Sequence, residues 1–279
     1  MSSISGIQQR LEESGLGRMA EVILREVRPS VRLVTGEASV QPVSRLGGRP
    51  NLPEEIRWPV RASGRPLSFI AQLDLAVLPT IDDFALPEAG SLFFYYDAEQ
   101  APWGFDPKDK DGTRVLYSPA PLAESKLRRR HPDLDEESRF KGFAVTGTLE
   151  MSLPGPQSGI LRPFQPTQAE WEAYYDLVEP AGTPLHRVGG NANEIQGPMG
   201  LEAQLVSNGI YCGDREGFEE GRKRGLDAGA ADWRLLLQVD SEERLGMMWG
   251  DAGRIYFLIR KDDLTGRRFD RVWLILQCG

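Results

Sequence analysis

The chain has 279 residues, of which 40% are hydrophobic and 27% charged, so it can bury a large core as one domain or as two joined lobes. Its net charge of −8 argues against general nucleic-acid binding, which requires a basic surface, and suits a basic protein partner. No stretch is apolar over the length of a bilayer, and the N-terminus lacks the apolar core of a signal peptide, so we expect no membrane contact and a cytoplasmic location.

The cysteine content fits the same compartment. The only two cysteines, Cys212 and Cys278, form no CxxC motif and no Cys/His cluster. This pattern predicts reduced thiols, no structural zinc and no cofactor.

The first predicted element is an N-terminal helical extension, residues 1–30. Between residues 4 and 28, apolar residues fall near one face of a helix, and two glycines allow a division into two helices. Pro29 predicts a stop soon afterwards. We expect the extension to cover an apolar face of the domain that follows.

The next segment alternates short strands with loops. Strands are predicted within 31–43, at 67–73, at 92–96 and at 115–117, with a structured loop over 47–53. A short helix is predicted at 74–78, ended by Pro79. A long loop over 97–113 carries the sequence WGFD.

The later segment contains both helices and strands. Residues 143–153 alternate like a strand, and a helix is predicted after Pro166, where Thr167 and Glu170 have the spacing of a capping box. Residues 201–210 fit a helix or a strand, and 214–231 fit a polar helix with a loop. Strands are predicted at 235–239, 254–260 and 272–277.

Three sequence blocks occur twice in the same order. SRLGG at 44–48 matches HRVGG at 186–190, FIAQLD at 69–74 matches LLLQVD at 235–240, and a glycine precedes an apolar run at both 90–96 and 253–259. We interpret this as an internal duplication. The sequence therefore predicts an α+β fold of mostly antiparallel sheets, with a few peripheral helices. We expect one domain, 31–279, made of two pseudo-symmetric halves, 31–160 and 161–279. The seam between the halves is a natural place for a ligand.

Residues 44–53, Trp58-Pro59, 66–75, 235–240 and 245–257 resemble the YwqG-like family of bacterial proteins. The resemblance covers about residues 40–279 and implies a cytoplasmic α+β fold with internal pseudo-symmetry, without an established activity. The family's context implies an immunity or binding role. The second half departs from the pattern at 191–193, which reads Asn-Ala-Asn where an aromatic and a proline are usual, and the pattern resumes around Gln196.

Two Gln-x-Asp units are the first candidate site. Gln72 and Asp74 lie two apart on one predicted strand, as do Gln238 and Asp240, so each pair faces one side of its strand. If a two-fold axis relates the halves, the four groups would meet at the seam and bind a small polar ligand or a cation. The alternative is structural, with each Asp capping a following turn and each Gln bonding loop backbone.

Further candidates lie near the same blocks, and each has a structural alternative. Gly47-Gly48 and Gly189-Gly190 fit an anion cradle or tight turns. Trp249 and Asp251 fit a pocket or an interface, or loop packing. His186 precedes the second double glycine and could approach the seam.

The leading hypothesis is a non-catalytic cytoplasmic binding protein with a protein partner, such as an immunity protein that blocks a basic toxin domain. No sequence spacing marks a nucleophile–base set or a metal site. The alternative is an enzyme or a small-molecule sensor that uses Gln72, Asp74, Gln238 and Asp240 at the seam, with Asp as base or metal ligand.

Overall fold

The computed structural model describes residues 3–181 and 183–279. Its α-helices are α1 (Ile4–Glu13), α2 (Ala20–Arg25), α3 (Gln168–Val178), α4 (Gly200–Ser207), α5 (Arg215–Lys223) and α6 (Lys261–Thr265). Its strands are β1 (Arg28–Ala38), β2 (Arg45–Leu46), β3 (Asn51–Leu52), β4 (Ser68–Asp74), β5 (Ser91–Tyr96), β6 (Thr113–Ser118), β7 (Lys126–Leu127), β8 (Phe143–Ser152), β9 (Arg187–Val188), β10 (Trp233–Asp240), β11 (Arg254–Arg260) and β12 (Trp273–Gln277). Short 3-10 helices lie at Gly17–Met19, Pro107–Gly112, Leu122–Glu124, Glu136–Ser138, Pro156–Ser158, Arg162–Phe164, Leu226–Asp232, Glu243–Leu245 and Phe269–Arg271.

One antiparallel sheet of ten strands dominates the fold. Its order is β12-β11-β10-β9-β1-β8-β2-β4-β5-β6, and β3 and β7 form a separate pair. Counted from either edge, the sheet has three longer strands, then a two-residue strand, and then one strand of the central pair β1–β8. In that pair Val34 lies opposite Thr146. The α+β class is thus confirmed, and the sheet is antiparallel as the alternating patterns predict.

The two outer groups of strands repeat the same irregularities. The register of β4 with β5 shifts between Phe69 and Ala71, and that of β10 with β11 shifts between Leu235 and Leu237. Both shifts fall at the same place in the repeated Gln-x-Asp block. A bulge bends its strand and increases the twist, so both groups curve at matching points.

A glycine precedes β5 and another precedes β11, and at each of them the backbone of the adjacent strand passes closely. A Cβ at Gly90 would lie 2.3 Å from the Ser118 carbonyl oxygen, and one at Gly253 would lie 2.2 Å from that of Gln277. The glycines that precede both apolar runs therefore allow the next strand to approach.

The seam between the two outer groups is filled with aromatic side chains. The Phe94 and Phe257 ring centroids lie 5.0 Å apart, edge to face, and those of Tyr96 and Trp249 lie 6.0 Å apart. Leu92, Phe94, Ile255 and Phe257 belong to one buried cluster that spans both groups. Burial of this apolar surface joins the halves.

The N-terminal helices bury apolar side chains against later parts of the chain. They place Ile7, Leu11 and Ile23 in a buried cluster with Leu161 and Tyr174. The helices end at Arg25, and β1 already begins at Arg28.

Three local predictions about helices can be compared with the structure. The capping box at α3 is confirmed, since Thr167 accepts from the Glu170 N–H and the Glu170 carboxylate accepts from the Thr167 N–H. Residues 200–207 form a helix rather than a strand. The helix predicted at 74–78 is wrong. These residues form a single turn because the Asp74 side chain accepts from the Ala76 N–H and Pro79 follows at once.

Within residues 3–181 and 183–279, no helix combines the length and the apolar character needed to span a membrane.

Candidate functional site

Gln72, the first sequence-predicted site residue, is fully buried in a network of hydrogen bonds. Its Nε2 donates to the Val43 carbonyl at 2.8 Å and to Asn51 Oδ1 at 3.1 Å. Its Oε1 accepts from the Asn51 N–H at 2.8 Å. The side-chain amide therefore holds the loop before β2 and strand β3 against β4.

Gln238 repeats these contacts in the second half. Its Nε2 donates to the Leu185 carbonyl at 2.6 Å and to Asn193 Oδ1 at 3.2 Å. Its Oε1 accepts from the Asn193 N–H at 2.9 Å. Both amides thus bond loop backbone, which is the structural alternative that the sequence left open.

Each network also contains a buried arginine that the candidate list missed. Arg45 donates to Asn51 Oδ1 at 2.9 Å, and Arg187 donates to Asn193 Oδ1 at 2.9 Å. The signal was present, because these arginines occupy the same position in SRLGG and HRVGG. The sequence alone does not distinguish a buried arginine from an exposed one.

The two arginines differ in their counter-charge. Arg187 binds the Glu150 carboxylate at 2.9 Å. Arg45 instead donates to the backbone carbonyls of Ser39 and Gln41, and burial lowers the pKa of Arg45 to about 10.

The two aspartates occupy matching backbone positions with different surroundings. The Asp74 N–H donates to Ser44 Oγ at 2.9 Å, whereas the Asp240 N–H donates to His186 Nδ1 at 3.1 Å. The Asp240 carboxylate accepts from the Leu185 N–H at 2.8 Å and lies 3.2 Å from Arg254 Nε.

His186 is almost fully buried beside this aspartate. Because Nδ1 accepts a hydrogen bond, Nε2 carries the proton and donates a hydrogen bond to Glu242 Oε2 at 2.9 Å. Both ring nitrogens are therefore engaged, and the histidine positions the start of the loop after β10.

The double glycines form tight turns. Gly47 and Gly48 have φ values of 64° and 79°, and Gly189 and Gly190 have 66° and 70°. The Gly47 and Gly48 N–H groups donate to the carbonyls of Ile70 and Phe140 at 2.7 and 3.1 Å, so neither N–H faces a ligand. The turn interpretation holds for this pair.

Trp249 and Asp251 separate in the structure. Trp249 is fully buried, with its ring 5.4 Å from that of Phe140, whereas Asp251 is exposed. Gln196 is also exposed.

The two Gln-x-Asp units bond separately. Among the described residues, no hydrogen bond or ion pair joins Gln72 or Asp74 to Gln238 or Asp240. Each pair serves the loops of its own half.

A cavity of about 310 Å³ lies where a loop of the first half meets the second half, and we call it the aromatic cavity. Its lining combines aromatic, polar and thiol groups: Trp103, Phe105, Gln196, Glu202, Tyr211, Cys212, Gly213, Ile275, Leu276 and Gln277. A volume of this size reaches the lower end of small-molecule sites.

Backbone contacts fix the first-half loop over β12. The Trp103 carbonyl accepts from the Leu276 N–H at 3.0 Å, and the Gly104 carbonyl accepts from Trp273 Nε1 at 2.7 Å. A Cβ at Gly104 would lie 2.2 Å from the Leu274 carbonyl oxygen, and φ there is +100°. The WGFD sequence needs glycine at this point, because the loop touches the strand.

The opposite contacts come from the segment after α4. The Cys212 N–H donates to the Phe105 carbonyl at 2.9 Å, and the Phe105 and Tyr211 rings meet edge to face at 5.8 Å. Gln277 Oε1 accepts from the N–H groups of Ile195 and Gln196 at 2.9 and 3.1 Å. The lining is thus positioned mainly by backbone bonds.

Two titratable groups face this cavity. Burial raises the pKa of Glu202 to about 7. Burial, followed by the charge of Glu202, raises the pKa of Cys212 to about 12. At neutral pH the thiol is protonated, whereas the carboxyl group is close to its midpoint. The cavity can therefore bind an apolar ring and present a carboxyl group that changes charge near pH 7.

Within residues 3–181 and 183–279, no group of three or more His, Cys, Asp or Glu side chains is arranged to hold a metal ion. Comparison with protein families finds a match to the model described as "Domain of unknown function (DUF1963)" over residues 44–278. A search of curated proteins finds no match.

Proposed function

This chain belongs to the DUF1963 family of domains of unknown function, and we propose that it is a binding protein whose ligand is a small molecule held in the aromatic cavity. The observation that carries the proposal is the lining itself. Trp103, Phe105 and Tyr211 offer aromatic surface, and Glu202 adds one partly buried carboxyl group. Aromatic and aliphatic side chains beside a few polar groups are typical of small-molecule sites, and this lining combines three aromatic rings and two aliphatic side chains with Gln196, Glu202 and Gln277.

The cavity's chemistry favours a ligand with a ring and an amine. A cation beside an aromatic face and a desolvated carboxylate is attracted to both. Binding of an amine would hold Glu202 in its charged form and lower its pKa. Since the free pKa is about 7, affinity should rise as the pH increases from 6 to 8.

The thiol supports binding rather than covalent catalysis. A nucleophilic cysteine requires a lowered pKa, usually beside a cation or a helix N-terminus. Cys212 has the opposite environment, with burial and a nearby carboxyl group, so its pKa is raised to about 12.

Native mass spectrometry tests this proposal. The purified protein is incubated with the small-molecule fraction of a lysate of the source organism, and bound mass is compared with that of Tyr211→Ala. Tyr211 is 43% exposed, so its removal should spare the fold while opening the cavity. Tyr175→Ala is the matched control, because Tyr175 is 39% exposed and lies on α3, away from the cavity. Equal capture by both variants and by wild type would reject the cavity as the site.

A protein partner is the second candidate. The net charge of −8 favours a basic partner, and the resemblance to the YwqG-like family, with which the DUF1963 match is consistent, implies an immunity role against a basic toxin domain in the cytoplasm. Affinity capture at low and moderate salt tests this version. Charge reversal of exposed Asp and Glu residues should weaken the complex, and unaltered binding would reject it.

The duplication is also proposed. It is supported by features that occur at corresponding positions in both halves: the strand order, the two bulges, the two Gln–Asn–Arg networks and the glycines before β5 and β11. In this duplication β1 corresponds to β8, β2 to β9 and β4 to β10. We therefore place the start of the second repeat at β8, near residue 143, rather than at 161.

A further inference from the structure

A second cavity, of about 160 Å³, lies between α1, the central strands β1 and β8, and the end of α3. Its charged lining consists of Arg10, Arg32, Arg187 and Glu150, and its apolar lining includes Met151 and Leu177. We propose that this arginine cavity binds a small organic anion, with its oxyanion group held by the arginines and its short apolar body against the remaining wall.

The cavity has an excess of positive charge in an acidic chain. Glu150 is engaged by Arg187, whose other nitrogen, Nη1, donates to Asn191 and Asn193. Neither Arg10 nor Arg32 forms an ion pair with a residue that the structure describes. Glu150 and Asp240 partly compensate the charge of Arg32, and Arg187 and Arg254 repel it. Three arginines against one carboxylate in the lining still leave an excess of positive charge for an external anion.

Arg32 is the central cation of this set. It lies on β1 directly opposite Arg187 on β9, and its Nη2 donates to the Pro184 carbonyl. Burial, followed by the like charge of Arg187, lowers the pKa of Arg32. A bound anion would relieve this repulsion, and a guanidinium group matches the two oxygens of a carboxylate or phosphate.

The cavity's size and apolar lining narrow the ligand further. A cavity of about 150 Å³ in another protein accommodates one benzene molecule. A volume of about 160 Å³ therefore suits an anion with a short apolar body. Arg10 and Arg32 lie outside the region that the DUF1963 model matches, so part of this site comes from the N-terminal extension and β1.

Isothermal titration calorimetry at low chloride tests the proposal with benzoate, its neutral isostere benzamide, and inorganic phosphate. We expect benzoate to bind and benzamide to bind at least about tenfold more weakly, about 1.4 kcal/mol. Arg32→Gln and Arg10→Ala should each weaken benzoate about tenfold. Arg215→Ala, which removes one charge from a side chain that is 91% exposed on α5, should have no effect.

Several results would overturn the proposal. These are no binding of benzoate or phosphate, equal binding of benzoate and benzamide, or affinity that is unchanged in both Arg32→Gln and Arg10→Ala. Arg10 is exposed, so its variant reports on binding even if Arg32→Gln fails to fold. Phosphate binding as tight as benzoate binding would support the oxyanion site and reject a role for the apolar wall. The two cavities share no lining residue, so this result is separate from the outcome for the aromatic cavity.

Discussion

The two halves of the sheet use the same side-chain framework but differ in charge. In each, a buried Gln and Arg converge on the side-chain oxygen of one Asn, Asn51 or Asn193. Among the described residues, Arg187 has a carboxylate partner, Glu150 on β8, whereas Arg45 has none. Shared contacts therefore hold the loops, and the groups that differ between the halves are where ligand chemistry is expected.

The largest expected effect is at the seam that joins the halves. Phe94→Ala and Phe257→Ala should each reduce the free energy of unfolding by about 3–5 kcal/mol, because each removes a buried aromatic ring. Since the rings touch, the double variant should lose less than the sum of the two single losses. Chemical denaturation measures this, and strict additivity would contradict direct packing across the seam.

The matched networks give the next effect. Gln72→Ala and Gln238→Ala should each cost about 2–3 kcal/mol, because each leaves the N–H of an asparagine buried without its acceptor. The networks share no partner, so the double variant should be additive. A cost confined to one half would show that the two networks are not equivalent.

A smaller expected effect is the pH dependence of two partly buried carboxyl groups, Glu194 beside the Asn193 network and Glu202 in the aromatic cavity. Burial raises the pKa of Glu194 and of Glu202 to about 7, from 4.5. Each group therefore favours folding when protonated, and that stability is lost as the pH rises from about 4.5 to 7.

Glu194→Gln and Glu202→Gln should accordingly stabilise the protein by about 1–3 kcal/mol at pH 8 and by little at pH 4.5. Thermal unfolding at both pH values measures the difference. Glu137→Gln, at an exposed position, is the control and should have no effect at either pH. Equal shifts at both pH values would contradict the raised pKa.

The smallest effect concerns the charge that only one half carries. Glu150→Gln should destabilise by about 0.5–1 kcal/mol, since its side chain is 30% exposed and water partly screens the pair. Raising the salt concentration should reduce the difference between variant and wild type. A salt-independent loss would point to packing rather than to charge.

Local patterns predicted most of the frame. Alternation at 143–153 predicted β8, the Thr167 and Glu170 spacing predicted the start of α3, and the repeated blocks fall at matching positions in the sheet. These features depend on neighbours in the chain, so the sequence carries them directly.

The cavities could not be predicted in this way. The aromatic cavity joins residues around 104, 202, 212 and 276, which become neighbours only when the WGFD loop packs on β12. Of its lining, only Gln196 was a candidate. The Gln-x-Asp pairs were conspicuous as a repeated motif, but repetition marks a shared structural need as readily as a shared ligand.

The most direct test of the central claim compares ligand capture by variants of the two regions. Native mass spectrometry would be run on wild type, Tyr211→Ala, Asp74→Asn and Asp240→Asn after incubation with the same small-molecule fraction. We predict that captured mass is lost in Tyr211→Ala and retained in both aspartate variants, because Tyr211 lines the cavity and the aspartates bond local backbone. Retention in Tyr211→Ala with loss in both aspartate variants would contradict it and return the site to the Gln-x-Asp pairs.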